Sequence, residues 1–407
     1  MNWKSQIKKI IPLFFLDIYH YLLSLLGALL YGFPSLKLTV IGVTGTSGKS
    51  TVVELIARIL QENGLNVASL SSIKFKIKEK EWENKLKMTM PGRFKIQKFL
   101  RQAVKAGCKY AVLEVTSEGI KQYRHKFIKF DVAVFTNLTP EHIESHGSFE
   151  KYREAKADLF KKTKKVHIIN LDDKNALYFW EIPAEKKIGY KIKEAESLLK
   201  NLKLFGDFNL YNALAAVHVC LFLGVSLDNC KRVLEKVEGI PGRMEIVIKE
   251  PFKVVVDYAH TPDALEKVYK TIQGSDYFFP TSEKQKNLIC VLGACGGGRD
   301  KWKRPVLGKI AAKYCQEVIV TNEDPYDENP LEIIEQVVEN IKEKARKILD
   351  RREAIREALK LANNSSVVVI TGKGCEPWIC LANGKKIPWD DRQVVKEEYE
   401  KIRNIRS

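Results

Sequence analysis

The stretch LTVIGVTGTSGKSTVVELIARIL, residues 38–60, decides the fold. It begins with an apolar, β-branched run, Leu38–Val43, which predicts a buried strand. A glycine-rich loop follows, and apolar residues then recur at the spacing of an amphipathic helix. A strand that passes through such a loop into a helix is the setting in which backbone amides hold phosphate groups. The stretch therefore predicts an α/β fold with a phosphate-binding site.

The loop departs from the strict pattern G-x-x-x-x-G-K-[ST], which requires Gly where this chain has Val43. The pattern present is G-x-x-G-x-x-G-K-S-T, from Gly42 to Thr51. Lys49 supplies a point charge for the β and γ phosphates, and Ser50 offers a hydroxyl to Mg²⁺. A structural glycine-rich turn is the alternative interpretation. We expect the loop to bind ATP through Gly45, Thr46, Ser47, Gly48, Lys49, Ser50 and Thr51.

Strand and helix patterns alternate along the rest of the chain, which predicts parallel sheets joined by helical crossovers. Further strands are expected in a first series and, after about residue 241, in a second: Tyr110–Val115, Asp131–Thr136, Lys165–Asn170, Phe252–Asp257, Leu288–Leu292, Glu317–Thr321 and Val367–Thr371. Two α/β domains follow from the two series. The predicted organisation is an apolar helical segment over residues 1–37, an ATP-binding domain over 38–241 and a C-terminal domain over 242–407.

The composition fits a globular protein with anionic partners. Of the 407 residues, 45% are hydrophobic, and 68 Lys and Arg against 50 Asp and Glu give a net charge of +18. This charge suits nucleotides, acidic substrates or anionic membranes, although solvated lysine faces would give the same excess. No RNA- or DNA-binding signature is present, so we expect no nucleic-acid partner. The eight cysteines include no C-x-x-C pair, which argues against a zinc site or a disulfide framework and favours a reducing cytoplasm.

The first segment is basic and then apolar. Lys4, Lys8 and Lys9 precede a stretch in which no acidic residue, Lys or Arg occurs between Asp17 and Lys37. Three interpretations stay open: a helix that packs on the next domain, an interfacial helix, or a cleaved signal. As an interfacial helix, residues 10–36 would make a peripheral contact at the inner face of the membrane, with Tyr19, Tyr21 and Tyr31 at the interface and the lysines on lipid headgroups.

Polar residues follow the predicted strands on the side of the phosphate loop. Glu114 ends a strand, and a carboxylate there would face the same crevice as the loop and suit Mg²⁺. The segment FTNLTPEHIESHGSFEKYREAKADLF runs from a strand through a polar loop into a helix. It offers Asn137, His142, His146 and Lys156, in a chain with only seven histidines. A surface loop is the alternative interpretation of this segment.

These motifs together resemble those of the Mur ligases of peptidoglycan precursor synthesis. The segments that carry the resemblance are GVTGTSGKST, EVTS, FTNLTPEHIESHG, GDFNLYNALAA, GIPGRMEIV, VVVDYAHTPDALEKV, GGGRDKWKRP and GKGCE. They are most similar to the UDP-N-acetylmuramyl-tripeptide synthetases, the MurE type, from about residue 38 to the C-terminus. The resemblance implies a P-loop ATPase-like central domain and a Rossmann-like C-terminal domain, with the site between them and completed by their closure.

The resemblance further implies an ATP-dependent ligase that transfers the γ-phosphate to a substrate carboxylate and then joins an amine to the acyl phosphate. Two Mg²⁺ ions are expected, with Ser50, Glu114, His142 and Lys156, the last as a carbamate, as ligands. Lys49, Lys156, His142, Arg243 and His260 match catalytic positions. Asn209, Asn212, Arg243 and Asp257 match positions that contact ATP.

The expected muramyl substrate is UDP-MurNAc-L-Ala-D-Glu, with matching contacts at Thr89, Thr116, Gln122, Arg124 and Asn137. The expected amino-acid contacts are Arg299, Asp324, Tyr326, Gly372 and Glu376. Relatives that add diaminopimelate carry D-N-P-R where this chain has E-D-P-Y, residues 323–326. Tyr326 cannot pair bidentately with a distal carboxylate as Arg does. A diamino acid is therefore expected, with L-lysine or another amine as alternatives to diaminopimelate.

A second departure concerns the uridine nucleotide. Members of the family carry about one hundred residues before the first strand, and only 37 precede it here. A lipid-linked or pseudomurein peptide substrate is therefore an alternative, and a non-catalytic, membrane-associated nucleotide-binding protein is another. We expect a cytoplasmic monomer that binds ATP, the muramyl dipeptide and an amino acid.

Overall fold

The computed structural model describes residues 13–86, 88–280 and 286–406. The chain forms two compact units. The first contains the residues up to Pro140 together with His146–Glu238, and the second contains Glu141–Ser145 together with Gly239–Ser407. The division after Glu238 falls three residues before the predicted boundary at 241/242. The short segment that joins the second unit from within the sequence of the first was not predicted.

The first unit is built on one large sheet. Its strands are β1 (Thr39–Thr44), β2 (Val67–Leu70), β3 (Lys74–Ile77), β4 (Lys80–Glu83), β5 (Tyr110–Glu114), β6 (Val132–Phe135), β7 (Val166–Asn170) and β8 (Lys186–Tyr190). Their order is β4-β3-β2-β5-β1-β6-β7-β8. The pairs from β2 to β8 are parallel, whereas β3 and β4 extend the edge as an antiparallel hairpin. The parallel sheet predicted from the alternating pattern is confirmed, with an added hairpin.

Helices cover this sheet and connect its strands. They are α1 (Leu13–Tyr31), α2 (Lys49–Glu62), α3 (Arg93–Lys105), α4 (Ser117–Lys121), α6 (Phe149–Lys162), α7 (Ala176–Trp180), α8 (Lys193–Leu198), α9 (Asp207–Phe222) and α10 (Leu227–Glu235), with a 3₁₀ turn over Pro34–Lys37. The short helix α5 (Ile143–His146) belongs to the second unit except for its last residue. Local chemistry sets several of the starts. Ser148 caps α6 by accepting a hydrogen bond from the Lys151 amide, and Thr116 caps α4 in the same way through Gly119.

The core of the first unit explains why the central strands are so apolar. All five residues of β5 are buried, and in β1 only Thr39 is not. Strands covered on both faces by helices must be apolar on both faces, which produces near-continuous runs of Val, Ile and Leu. The buried cluster holds Phe135 against Phe179, with ring centroids 4.0 Å apart. This rigid core fixes the strand ends that carry the polar side chains.

The second unit repeats the α/β plan with a smaller sheet. Its strands are β9 (Glu245–Ile248), β10 (Lys253–Asp257), β11 (Asn287–Leu292), β12 (Glu317–Val320), β13 (Ala345–Lys347) and β14 (Ser366–Thr371), followed by the hairpin of β15 (Trp378–Cys380) and β16 (Lys386–Pro388). The sheet order is β13-β12-β11-β14-β10-β9, and only β9 runs antiparallel. The helices are α11 (Pro262–Gly274), α12 (Lys303–Tyr314), α13 (Pro330–Val338), α14 (Arg351–Leu361) and α15 (Asp391–Arg406), with a 3₁₀ turn over Ala382–Gly384.

Four polar loops of the second unit lie at the same edge of its sheet. They follow β10, β11, β12 and β14, which are neighbouring parallel strands. The carboxyl ends of parallel strands form the edge at which α/β proteins bind ligands. The loops DYAHTP, GACGGGR, TNEDPYDENP and TGKGCEP therefore lie at one edge of the sheet.

Helix α1 forms most of the N-terminal segment in the described part of the chain. It packs on α3 along one side, where Ser24 and Ala28 are buried. Tyr19 and Tyr21 lie at its surface, while Lys4, Lys8, Lys9 and residues 10–12 of the predicted membrane contact lie outside the described residues. Across residues 13–86, 88–280 and 286–406, no helix combines the length and the apolar character needed to traverse a bilayer.

Candidate active sites in the two units

The phosphate loop of the first unit joins the end of β1 to the start of α2. Gly48 caps α2 with φ +83°, and no side chain caps this helix end. A Cβ atom on Gly48 would lie 2.2 Å from Asn212 Oδ1, and one on Gly45 would lie 1.9 Å from Thr136 Oγ1. Both positions therefore need glycine for its lack of a side chain. A helix amino terminus that follows such a loop is an arrangement that binds phosphate.

Asn137 holds the loop in shape. The Thr46 amide donates to Asn137 O at 2.9 Å, and the Ser47 amide donates to Asn137 Oδ1 at 2.9 Å. Asn137 Nδ2 in turn donates to Ser47 O at 3.1 Å. The side-chain amide of Asn137, which was predicted to contact the muramyl peptide, therefore braces the phosphate loop.

Ser50, in the first turn of α2, lies beside Glu114 at the end of β5. Ser50 Oγ donates to Glu114 Oε2 at 2.8 Å, and the Ser72 amide donates to the same oxygen at 2.9 Å. Ser50 Oγ also lies 2.7 Å from Ser72 Oγ. Hydroxyl and carboxylate oxygens are the ligands that Mg²⁺ prefers, so this pair fits the ion. Sequence analysis missed Ser72, because the short strand β2 that precedes it had not been predicted.

Lys49 connects the loop to the same carboxylate. Its Nζ donates to Thr46 O at 2.8 Å and lies 3.9 Å from Glu114 Oε1. Thr51, the last of the predicted loop residues, is buried in the first turn of α2. The predicted loop residues therefore form one contiguous arrangement with Glu114.

Lys156 lies beneath the loop on α6. Its side chain is buried, and Nζ donates to Gly45 O at 2.7 Å. Nζ also lies 4.6 Å from the centroid of the Tyr152 ring, whose hydroxyl is 3.1 Å from Thr46 Oγ1. Lys156 is thus in direct contact with the phosphate loop, which composition and spacing alone did not predict.

Two asparagines of α9 approach the loop from the opposite side. Asn212, whose amide lies against Gly48, donates from Nδ2 to Asn209 Oδ1 at 3.3 Å. Asn209 Nδ2 donates to Phe205 O at 2.8 Å. Both side chains are buried. The structure therefore places Asn212 at the phosphate loop and Asn209 one helical turn before it.

Three of the predicted muramyl-peptide residues flank the short helix α4, with Thr116 before it and Gln122 and Arg124 after it. Arg124 donates from Nη2 to Gln122 Oε1 at 2.7 Å and from Nη1 to Met90 O. Thr116 caps α4, and Thr89 is half-buried directly before Met90. Arg93, which sequence analysis missed, donates to Gln122 O at 2.6 Å. Burial, and next the nearby Arg93 charge, lower the pKa of Arg124, so two guanidinium groups lie close together here.

His142 belongs to the segment that packs with the second unit. Arg299 Nη1 lies 3.4 Å from His142 Nδ1. Asp300 accepts hydrogen bonds from the amides of Ile143 at 3.3 Å and Glu144 at 2.9 Å. The Lys301 amide donates to Glu144 Oε1 at 2.7 Å. The loop after β11 therefore holds the segment that carries His142.

The predicted metal ligands are divided between the two units. Ser50, Glu114 and Lys156 belong to the first unit, and His142 belongs to the second. Among the described residues, no group of three or more His, Cys, Asp and Glu side chains is arranged to hold a metal ion. The Ser50–Glu114 pair is thus the part of the predicted ligand set that lies together.

Arg243, Asp257 and His260 lie around the end of β10. The Arg243 guanidinium stacks 4.2 Å from the centroid of the Tyr258 ring. Asp257 accepts from the amides of Met244 at 2.7 Å and Ala259 at 2.6 Å, and burial raises its pKa while Arg243 opposes that rise. Asp257 therefore braces the backbone beside the predicted nucleotide residues.

His260 is held as a neutral ring. Its Nδ1 lies 2.8 Å from Tyr258 O, a carbonyl that can only accept, so Nδ1 carries the proton. Burial first, and then the Lys303 charge, lower the pKa of His260 to about 3. At neutral pH the imidazole can therefore act as a polar contact but carries no positive charge.

The predicted amino-acid residues form a charged cluster around Lys373. The Lys373 Nζ, fully buried, donates to both Asp324 oxygens at 2.9 Å and to Glu376 Oε2 at 2.6 Å. Tyr258 donates from its hydroxyl to Glu376 Oε1 at 3.0 Å, and the Cys380 amide donates to Asp324 Oδ1 at 2.8 Å. Sequence analysis predicted Asp324 and Glu376 here but did not name Lys373.

Tyr326 and Gly372 lie beside this cluster. Tyr326 has φ +51°, and a Cβ atom on Gly297 would lie 2.5 Å from its ring. A Cβ atom on Gly372, at φ +108°, would lie 2.4 Å from Glu323 Oε2. Burial, and then the Asp324 charge, raise the pKa of Glu323, whose Oε1 accepts from the Cys295 thiol at 2.8 Å. The aromatic ring therefore packs directly on the glycine-rich loop after β11.

These features define an α/β enzyme that uses a nucleotide: a phosphate loop, hard oxygen ligands for a divalent cation, and a second unit whose polar loops share one sheet edge. The chain matches the family models of the Mur ligase middle domain over residues 43–200 and of the Mur ligase glutamate ligase domain over residues 242–374. With the relatives below, this shows that the chain belongs to the Mur ligase family, as an ATP-dependent amide ligase of cell-wall precursor synthesis.

Two relatives illustrate the similarity. The UDP-N-acetylmuramoyl-L-alanyl-D-glutamate--2,6-diaminopimelate ligase of Syntrophomonas wolfei is 38% identical, over 92% of this chain and 81% of the relative. The UDP-N-acetylmuramyl-tripeptide synthetase of a Roseiflexus species is 36% identical, over 91% and 80%. The resemblance to the tripeptide synthetases is thereby confirmed.

Solved structures agree on the fold. A UDP-N-acetylmuramoyl-L-alanyl-D-glutamate--2,6-diaminopimelate ligase superposes with a TM-score of 0.57 at 31% identity, covering 90% of this chain and 79% of that one. A folylpolyglutamate synthase of Mycobacterium tuberculosis reaches 0.68 at 17% identity, covering 85% and 91%, which shows a shared fold alone. The α/β fold predicted from the sequence is confirmed.

Proposed function

We propose that the enzyme adds a diamino acid to the D-glutamyl carboxylate of UDP-MurNAc-L-Ala-D-Glu and cleaves ATP to ADP and phosphate. The similarity to diaminopimelate ligases over 92% of the chain carries this proposal. The γ-phosphoryl group passes from ATP to the carboxylate and forms an acyl phosphate. The amine then attacks the carbonyl carbon, and phosphate leaves from the tetrahedral intermediate.

Positioning and charge neutralisation supply most of the catalysis in such a transfer. The amides at the start of α2 and the Lys49 ammonium would hold the phosphates of ATP. Ser50 and Glu114 would hold one Mg²⁺, which neutralises charge on the phosphate oxygens when bound. Arg124 and Arg93 form a pair of cations suited to the carboxylates of the muramyl dipeptide. Arg243 would contact the nucleotide.

A second Mg²⁺, with His142 and a carbamylated Lys156, is part of the same proposal. The contact between Lys156 Nζ and Gly45 O supports it, because it places the side chain at the phosphate loop. Carbamylation would convert the cationic side chain, which repels Mg²⁺, into an anion with oxygen atoms that suit the ion as ligands. The test is ¹³C NMR of the protein in ¹³C-bicarbonate: a carbamate resonance in the wild type, absent from Lys156→Arg, is expected. Identical spectra for the two proteins would contradict the carbamate.

The residues proposed to bind the amino-acid substrate favour a substrate with a distal amine and no distal carboxylate. Asp324 and Glu376 are acidic and share one buried cation, Lys373. The ring of Tyr326 lies on Gly297, at the position where the diaminopimelate-adding pattern has Arg. A distal ammonium on the substrate would find a carboxylate in Glu376, whereas a distal carboxylate would have two acidic neighbours. We therefore place L-lysine or L-ornithine ahead of diaminopimelate.

The test is phosphate release from ATP with UDP-MurNAc-L-Ala-D-Glu and Mg²⁺, scanning L-lysine, L-ornithine and meso-diaminopimelate, with mass detection of the product. We expect turnover with a diamino acid, at the highest kcat/KM for one without a distal carboxylate. Tyr326→Arg is the matched variant and should shift preference toward diaminopimelate. No product with any amine, from protein that still binds ATP, would refute the proposed acceptor or carrier.

The protein is also proposed to be a cytoplasmic monomer. The shared use of ATP and a UDP-linked substrate supports this location. Light scattering on the full chain measures the oligomeric state, and a mass near 46.5 kDa is expected. A stable mass of twice that value would refute the monomer.

A further inference from the structure

Helix α1 is attached to the first unit by small residues on one side. Ser24 is 1% exposed and donates to Tyr123 O at 2.7 Å, and Ala28 is fully buried. A Cβ atom on Gly27 would lie 3.5 Å from Arg93 O, so the helix lies close against the start of α3. These residues are three or four apart and form one stripe. The opposite side of the helix therefore faces away from the unit.

That opposite side carries large apolar side chains. We call it the apolar face of α1, and its six residues are between 40% and 66% exposed: Phe15, Ile18, Leu22, Leu26, Leu29 and Leu30. Their spacing follows the helical period, so they form a continuous stripe. Of the 18 exposed large hydrophobic residues in the described part of the chain, nine lie between Phe15 and Leu36. Such a concentration marks an interaction surface, because single exposed hydrophobic residues are normally scattered.

The charges around the stripe select its partner. Residues 1–37 contain Lys4, Lys8, Lys9 and Lys37 against the single acid Asp17, a net charge of +3. The whole chain carries +18, so two copies meeting at this face would repel one another. Anionic lipid headgroups attract lysines that flank an apolar helix in sequence, and each such lysine adds to binding. The half-exposed Tyr19 ring, next to Ile18, suits the boundary between headgroups and acyl chains.

The packing of α1 also sets how it would meet a bilayer. Its small-residue side is occupied by the first unit, so lipid cannot surround the helix. Only the outward stripe is available, which gives a helix lying in the plane of the interface. We propose that the apolar face of α1 docks this enzyme on an anionic membrane surface. This inference goes beyond the proposed ligase activity and does not depend on it.

The test is flotation of the full chain with vesicles of phosphatidylcholine alone or with 30% phosphatidylglycerol. The wild type should bind the anionic vesicles at least tenfold more tightly, and 0.5 M salt should weaken that binding. Leu22→Glu/Leu26→Glu should lose at least tenfold, and Leu22→Ala/Leu26→Ala should lose less. The matched control is Leu177→Glu/Leu331→Glu, which places the same charges at residues that are 67% and 54% exposed elsewhere.

Three results would overturn the proposal. One is a wild type that fails to float with anionic vesicles. Another is a Leu22→Glu/Leu26→Glu variant that binds vesicles as the wild type does. The third is a dimer in light scattering that the same variant converts to a monomer, because the face would then be covered by a second copy. Equal melting temperatures and equal ATP turnover on the soluble substrate should accompany the loss of binding, since α1 contributes no residue to the proposed catalytic site.

Discussion

Removing the Lys303 charge should release the segment that carries His142. Lys303 Nζ donates to Glu141 Oε1 at 2.8 Å, and both side chains are only 3% exposed. Among the described residues, Glu141 Oε2 has no hydrogen-bond partner, so Lys303 is the cation hydrogen-bonded to this carboxylate, with the Arg299 charge nearby. Lys303→Met would leave Glu141 buried without a hydrogen-bonded cation. Breaking a buried ion pair from one side costs about 3–5 kcal/mol.

The free energy of the lost ion pair determines how often the segment of residues 141–145 opens. The hydrogen bonds from the Ile143 and Glu144 amides to Asp300, and the one from the Lys301 amide to Glu144, would remain in the variant. Each contributes about 0.5–1.5 kcal/mol in the wild type and in the variant alike, so these bonds do not compensate for the lost ion pair. Because 1.4 kcal/mol is a factor of ten, the segment should open roughly 100- to 3,000-fold more often. The strands of the second unit should be unaffected, since the segment can detach locally.

Amide hydrogen exchange of residues 141–145, followed by mass spectrometry under native conditions, measures this opening. Lys301→Met is the matched control, because Lys301 is 57% exposed and its Glu328 partner lies 3.7 Å away. The control should change exchange by less than about fivefold, as surface pairs are worth up to about 1 kcal/mol. The double variant Lys303→Met/Glu141→Leu should recover much of the protection, because no buried charge is left unpaired.

The reasoning would be refuted if Lys303→Met exchanged no faster in residues 141–145 than Lys301→Met. It would also fail if exchange rose equally in β10, β11 and β14, because the loss would then be global. A second readout is independent of exchange. Lys303 lowers the pKa of His260, so that pKa should rise in Lys303→Met when the ring is titrated by NMR.

Three further predictions follow from other contacts. Gly48→Ala should weaken ATP binding and destabilise the fold by about 1–3 kcal/mol, because Gly48 has φ +83° and an added Cβ atom would lie 2.2 Å from Asn212 Oδ1. Gly64→Ala is the control: Gly64 has φ +75°, but an added Cβ atom there has no atom within 4 Å, so ATP affinity should be kept. Isothermal titration measures ATP affinity and melting curves measure stability for both variants. Because the pKa of His260 is lowered from the ordinary histidine value of about 6.5 to about 3, the folded protein loses stability as pH falls from about 6.5 toward about 3. The unfolding free energy should therefore fall less steeply with decreasing pH in His260→Gln than in the wild type. Parallel pH dependences of the two proteins would contradict this prediction. Arg351→Met should lower the unfolding free energy, measured by urea denaturation, by about 3–5 kcal/mol, because Arg351 and Asp391 form a buried ion pair at 2.7 Å. A decrease below about 1 kcal/mol would show that the pair is not a major stabilising contact.

The parallel core was predictable because burial on both faces leaves a strong trace in sequence. The runs that became β1, β5 and β10 are apolar and β-branched, and the structure assigns strands within one residue of the expected ends. The β3–β4 hairpin left no such trace. Its turn contains Lys78 at φ +52°, without the glycine or asparagine that normally marks such a turn, and β4 is exposed along its whole length.

The candidate site also has a part that the sequence predicts and a part that it does not. The phosphate loop was predictable because its chemistry needs Gly48, Lys49 and Ser50 in consecutive positions. Contacts between distant parts of the chain were not. Asp324 and Lys373 are 49 residues apart, and only the sheet brings the loops after β12 and β14 together. Nothing local to Asp324 indicates that its two oxygens are already engaged by a lysine.

The segment Glu141–Ser145 makes the second unit discontinuous in sequence. In a fragment expressed from Gly239 onward, Asp300 would lack its hydrogen bonds from the Ile143 and Glu144 amides, and Lys303 would lack its ion pair with Glu141. Such a fragment should therefore bind a synthetic peptide spanning residues 139–147 in trans. No single division of the chain therefore yields two fragments that each contain one complete unit. Insertions between Pro140 and His146 should destabilise the second unit, although they lie within the sequence of the first.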